Sequence, residues 1–145
     1  MFYNAAGINP ANQLKAERIG IALSSNMTSW RRLPLRTAKR KTGNPVFFHE
    51  APGIITGDAQ IVKFPHYYVM FYLSAFNPKR KYNAYNTFAV SRDLVNWQDW
   101  EGADLIYPSK PYDDMFAHKS YVLKHQGVVY HFYCAVNHAG QRGIA

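Results

Sequence analysis

Met70-Phe71-Tyr72-Leu73-Ser74-Ala75, then Thr87-Phe88-Ala89-Val90-Ser91, then Asp93-Leu94-Val95-Asn96-Trp97 form the middle of this 145-residue chain. The same order of apolar run, second apolar run and Trp-bearing turn stands earlier in the chain. There it reads Met1-Phe2-Tyr3-Asn4-Ala5, Ile19-Gly20-Ile21-Ala22-Leu23-Ser24 and Asn26-Met27-Thr28-Ser29-Trp30. A third copy begins at His131-Phe132-Tyr133-Cys134-Ala135 and reaches Gly143-Ile144-Ala145. Phe2, Phe71 and Phe132 lie 69 and 61 positions apart (71 − 2, 132 − 71). Ala22 and Ala89, Ser24 and Ser91, and Trp30 and Trp97 are each 67 apart. A strand pattern recurring at such a period means a radial or stacked all-β array.

Within a unit the strands are short and joined tightly. Ile61-Val62-Lys63-Phe64 meets a Pro-His turn before Tyr67 to Leu73, and Tyr121-Val122-Leu123-Lys124 meets His125-Gln126-Gly127 before Val128 to Tyr133. Each pair predicts a hairpin. A polar loop, a third strand, the Trp turn and a fourth strand follow, the fourth being placed near Leu33 to Val46 and at Asp104-Leu105-Ile106-Tyr107. Four antiparallel strands per unit is a propeller blade. The expected division is about 1–50, 51–110 and 111–145, or two to two and a half blades. Residues 10 to 18 fit either one helical turn or a long hairpin connection. The chain opens and closes inside repeat units, so a segment of a longer protein is expected.

The composition agrees with strands: 48% hydrophobic and 16% aromatic, with eleven Tyr and nine Phe, side chains that pack on a pleated surface. One cysteine, Cys134, excludes an internal disulfide and reads as a small buried hydrophobe. No Cys/His pairing has zinc spacing, and no apolar run is long enough for a membrane helix. The net charge of +8 is densest from Arg31-Arg32 through Arg36 to Lys39-Arg40-Lys41. Such a run can hold a polyanion, but it reads as a solvated loop. No nucleic-acid reading element accompanies it, so neither nucleic acid nor membrane is expected as partner. A sulfated or uronic polysaccharide suits a basic surface.

The unit of strand, turn, Tyr-Tyr-x-x-Phe-Tyr, loop and Ala-x-Ser-x-Asp-Leu-x-x-Trp resembles the five-bladed β-propeller glycoside hydrolases. These include family 43 arabinanases and xylosidases, fructan-cleaving families 32 and 68, family 117 agar-oligosaccharide hydrolases and family 130 mannoside phosphorylases. Ser91 to Trp97 and Ala22 to Trp30 carry the likeness most strongly. They are scaffold and say little of substrate. Trp30 and Trp97, at equal positions, are expected to pack between strands.

The resemblance implies chemistry at the axis, on the innermost strand of successive blades. Gly57-Asp58-Ala59-Gln60-Ile61-Val62-Lys63 is similar to the group's Asp-Pro-x-Val-x-Lys pattern, with Ala59 where Pro is common. Glycoside cleavage needs one carboxyl to protonate the leaving oxygen and another as base or nucleophile. Asp58 would then orient substrate or tune a neighbour, against the plain alternative of a turn Asp after Gly57. The next inner strand, Met115 to Val122, carries His118-Lys119 where relatives often carry Glu as general acid. A His can act as acid near neutral pH, and family 117 is thought to use one. Otherwise His118 binds sugar hydroxyls or is a structural His paired with backbone, and the acid is Asp113, Asp114 or Glu50. Lys119 would snorkel or bind an anionic sugar group. Tyr112 and Phe116 would supply aromatic walls. The base or nucleophile is expected on a strand before Met1.

The expectation is therefore a glycosidase, exo-acting because a funnel closed at one end suits chain termini. Competing expectations are a non-catalytic carbohydrate-binding propeller, a phosphorylase holding phosphate by Arg, Lys and His, and nucleic-acid binding through residues 31–41. No cofactor and no metal site is expected. Calcium occurs at the axis of some relatives, but nothing here forms an oxygen cage. An extracellular or periplasmic location is expected.

Overall fold

The structure, a computed structural model, describes residues 1–8, 13–37, 39–40 and 42–145. Among the described residues there is no helix. The ten strands are β1 (Phe2–Ile8), β2 (Lys15–Leu23), β3 (Arg31–Arg32), β4 (Ile55–Lys63), β5 (Tyr68–Ala75), β6 (Ala84–Ser91), β7 (Gln98–Asp99), β8 (Phe116–His125), β9 (Val128–Val136) and β10 (Arg142–Ile144). They fall into three antiparallel groups: β1-β2-β3, β4-β5-β6-β7 and β8-β9-β10. One parallel pairing, Glu17 with Ile55, joins the first two into a single open sheet, and the third group is a separate sheet.

The expected hairpins form. Tyr68 pairs with Lys63 across the Pro-His turn, and Val128 pairs with His125 across Gln126-Gly127. Gly127 takes φ +82, a left-handed turn position that favours glycine. Lys15 to Arg18 are strand, so the one-turn helix allowed there does not form; residues 10–12 lie outside the described residues. The fourth strand differs from expectation. It follows each Trp at once, as Arg31–Arg32 and Gln98–Asp99, because the turn ends on the Trp and the chain returns directly to the sheet. Ile106 and Phe47 make only isolated bridges, to Asn86 and Ile19. In the basic run Arg31 and Arg32 belong to β3, and Lys41 lies outside the described residues.

The recurrent turn has a physical cause. Asp93 Oδ1 accepts the amides of Val95 at 2.9 Å and Asn96 at 2.7 Å, and Ser91 Oγ accepts those of Asp93 and Leu94. Asn26 Oδ1 does the same for Thr28 at 3.0 Å and Ser29 at 2.9 Å, and Ser24 Oγ for Asn26 and Met27. Asx and Ser side chains thus satisfy the amides that the tight turn orphans. Each indole closes the motif, Trp97 donating to Leu94 O at 3.0 Å and Trp30 to Met27 O at 3.1 Å.

The main core lies between the first two groups. Ile19, Ile21, Val46, Phe47, Met70, Tyr72 and Ala89 are buried together, and Phe2 and Trp97 pack against them. Phe2 meets Trp97 edge to face across the groups, with ring centroids 6.0 Å apart. Asn44, itself buried, sends its side chain to the Ile21 amide and carbonyl, to Leu33 O and to Tyr3 Oη. The second and third groups are tied by a side chain. The Gln60 amide bonds Val122 as a peptide unit would, Nε2 donating to Val122 O at 2.7 Å and Oε1 accepting from Val122 N. No helix among the described residues is long and apolar enough to cross a membrane.

Candidate active site

Both inner strands carry a bulge. The register of β4 on β5 shifts between Gly57 and Gln60, and that of β8 on β9 between His118 and Tyr121. The bulged residues Asp58 and Lys119 adopt left-handed backbone, with φ 52 and 60. They are equivalent, 61 positions apart (119 − 58), the spacing of Phe71 and Phe132. Bulges re-aim side chains, and left-handed non-glycine residues concentrate at functional sites.

Both residues line one cleft of about 390 Å³ where the three strand groups converge. Register explains the other walls. Ala6, Ala75 and Val136 occupy equivalent second-strand positions at separations of 69 and 61 (75 − 6, 136 − 75). Their pairing partners are Glu17, Ala84 and Arg142, and all three face the cleft. Asn4 and Leu73, also equivalent, line it too.

Asn4 grips Asp58 twice. Its Nδ2 donates to Asp58 Oδ1 at 2.7 Å, and its Oδ1 accepts the Asp58 amide at 2.9 Å. Gly57 leaves room for this clamp, since a Cβ there would lie 3.1 Å from Asn4 Nδ2 and 3.2 Å from Glu17 Oε1. Glu17 therefore stands beside the same turn of β4.

His118 is half-buried, with Nδ1 3.0 Å from Cys134 O. A carbonyl only accepts, so Nδ1 carries the proton and Nε2 is the acceptor nitrogen of the neutral ring. Burial lowers its proton affinity below the ordinary histidine value; the Cys134 contact opposes this, and Lys119 and Arg142 add to the lowering while Asp58 acts against it. Phe116 lies against His118 at 5.9 Å and meets Phe76 edge to face at 6.4 Å.

Asp58, His118, Lys119 and Phe116 are thus brought together. Tyr112 lines an adjoining cleft of about 350 Å³ that shares Arg142. Asp114 lies outside both clefts. It accepts the His138 amide at 2.8 Å and faces His138 Nδ1 at 3.0 Å, contacts that hold its carboxyl below the usual range. Asp113 is buried beneath its loop, accepting from Ser109 N, Lys110 N and Tyr133 Oη. Glu50 is exposed between β3 and β4 and lines neither cleft. Asn4, Glu17, Phe76 and Arg142 are additional. Two of them carried a sequence signal: Asn4 is polar where the other copies have Leu73 and Cys134, and Glu17 is charged where the second copy has Ala84. Among the described residues, no group of three or more His, Cys, Asp or Glu is placed to hold a metal ion.

No protein-family profile and no curated protein matches the chain. Solved structures do. One, described as a complex of BT0996 with RGII, is 67% identical over 99% of this chain, with a TM-score of 0.88. Another, described as "Glycoside hydrolase", is 66% identical over 99% of this chain, also with a TM-score of 0.88. The chain matches a segment of a glycoside hydrolase. It spans 39% of the length of each of these two proteins. The Bombyx mori GH32 beta-fructofuranosidase BmSUC1 is 16% identical, with a TM-score of 0.66 over 94% of this chain and 26% of its own, a likeness of fold alone.

Proposed function

We propose that this chain forms part of the active site of a glycoside hydrolase acting on an oligo- or polysaccharide, within a five-bladed propeller whose blades divide near residues 50 and 110. The observation that carries the reading is the clamped Asp58 in a cleft with Glu17 and His118, in a chain 67% identical to a protein solved in a complex with RGII, a carbohydrate. Asn4 fixes the Asp58 carboxylate through Oδ1, and Oδ2 has no hydrogen-bond partner among the described residues, which leaves it for a sugar hydroxyl or for the reacting centre. Glu17 supplies the second carboxylate that acid–base cleavage of a glycoside requires. Phe76 and Phe116 offer apolar faces for the sugar ring. His118 accepts a hydrogen bond at Nε2 when neutral and becomes a proton donor to the leaving oxygen only when protonated. Its lowered proton affinity therefore restricts that donor role to acidic pH. An exo mode, acting on chain ends, and an extracellular or periplasmic setting belong to the same proposal.

The test is a screen of nitrophenyl glycosides and of RGII against the chain and its Asp58→Asn variant. Turnover by the parent and its loss in the variant, with sugar binding retained, supports the reading. Binding without turnover in the parent points instead to a carbohydrate-binding module, the reading favoured by a His118 that is neutral at pH 7.

A further inference from the structure

The cleft is electrically two-sided, and the strand register makes it so. Its first two groups present carboxylates, Glu17 on β2 and Asp58 on β4; its third presents cations, Lys119 on β8 and Arg142 on β10. The division falls at matched positions. Lys119 occupies in the third group the bulge that Asp58 occupies in the second, and Arg142 stands where the first and second groups have Glu17 and Ala84. Among the described residues, neither Lys119 nor Arg142 has an ion-pair partner. Two cations on one wall of the cleft, neither engaged in an ion pair with the carboxylates of the other wall, repel each other, an arrangement that an anionic ligand relieves. Lys119 is moreover held in left-handed backbone, a conformation that is strained in a non-glycine residue.

We propose that the cleft selects a sugar bearing a carboxylate, a uronic acid, whose carboxylate is received by Lys119 and Arg142 while its glycosidic side faces Asp58 and Glu17. The guanidinium fork of Arg142 matches a carboxylate in bidentate fashion, and the Lys119 ammonium adds a compact charge. The assignment rests on the hydrolase reading for the orientation of the glycosidic bond. The recognition itself is a binding property that can be measured without turnover.

Calorimetric titration of the intact chain compares the methyl glycosides of glucuronic and galacturonic acid with those of glucose and galactose. At least one uronide is expected to bind about tenfold or more tighter than its neutral counterpart, and to weaken as salt rises. Arg142→Gln and Lys119→Asn are expected each to lower uronide affinity about fivefold and leave neutral-sugar affinity within about twofold, asparagine being chosen because it tolerates left-handed backbone. Circular dichroism and thermal melts confirm that the variants fold. Equal affinity for uronides and neutral sugars overturns the proposal, as does equal loss of both in the variants, or no binding of either. Tighter binding of a sugar sulfate than of any uronide also overturns it. Neutral glycosides turned over without uronide preference would sink this inference and spare the hydrolase reading. Uronide preference with no turnover of any glycoside would do the reverse.

Discussion

At the scale of single residues, charge and local hydrogen bonding set the testable behaviour. His118 and His131 are both half-buried, and burial lowers the proton affinity of each. Between the lowered folded value and the ordinary value near 6.5, the unfolded chain binds more protons than the folded one. Their contribution to stability is therefore complete above that ordinary value and is lost as pH falls toward the lowered ones. The urea midpoint is expected to drop from pH 7 to pH 5, and His131→Asn to flatten the drop; a midpoint that rises on acidification contradicts this. Under the proposed function, the same shift gives a turnover rate that falls as pH rises from 5 to 7, read from a pH–rate profile. Asp93 supplies a different case. The Asn96 amide above all, then the Asn96 side chain and the Val95 amide, holds its carboxyl down at about 2. Replacement by Ala orphans two turn amides and is expected to cost about 1 kcal/mol, whereas Asp93→Asn should cost little, because Asn26 performs the same task in the first copy. Chemical denaturation of both variants checks this.

At the scale of elements, the strands follow from alternation and the turns from Asx chemistry, so hairpins β4-β5 and β8-β9 are readable from residues alone. The fourth strands were not. Arg31–Arg32 and Gln98–Asp99 are two-residue polar segments with no alternation to read, and only the geometry of the Trp turn brings them to the sheet edge. The site was partly legible for the same reason. Asp58 precedes an apolar strand, and His118 stands on its counterpart. Glu17 shows in the sequence only as a charge where the second copy has Ala84, and Arg142 reaches the cleft through register with Val136, which a linear pattern does not display. Asp113 looked chemical in sequence, and its structural surroundings are three donors that bury it under its loop. Asn44 shows how loop and strand are joined where ladder bonds run out. Asn44→Ala leaves the Ile21 amide without its side-chain acceptor inside the core and is expected to cost about 2–3 kcal/mol, measured by the shift of the urea midpoint at constant slope.

At the scale of the whole molecule, the repeat decides which faces meet. Phe2 of the first group receives Trp97 of the second, so Trp97 serves the neighbouring group as well as its own turn. Trp30, at 39% exposure, has the same turn contacts but no such ring against it among the described residues. Trp97→Ala is accordingly expected to cost about 3 kcal/mol, and Trp30→Ala much less in this chain, a difference that paired thermal melts would expose. The join between the second and third groups is of another kind. Where neighbouring strands within a group are stitched by a ladder, here the Gln60 amide bonds Val122 and two ring pairs, Phe71 with His131 and Phe76 with Phe116, bridge the groups. The walls that carry Asp58 and His118 are thus joined by side chains rather than by a ladder. Gln60, which does not itself line the cleft, therefore offers a place where the cleft's width can change while the residues that line it stay the same.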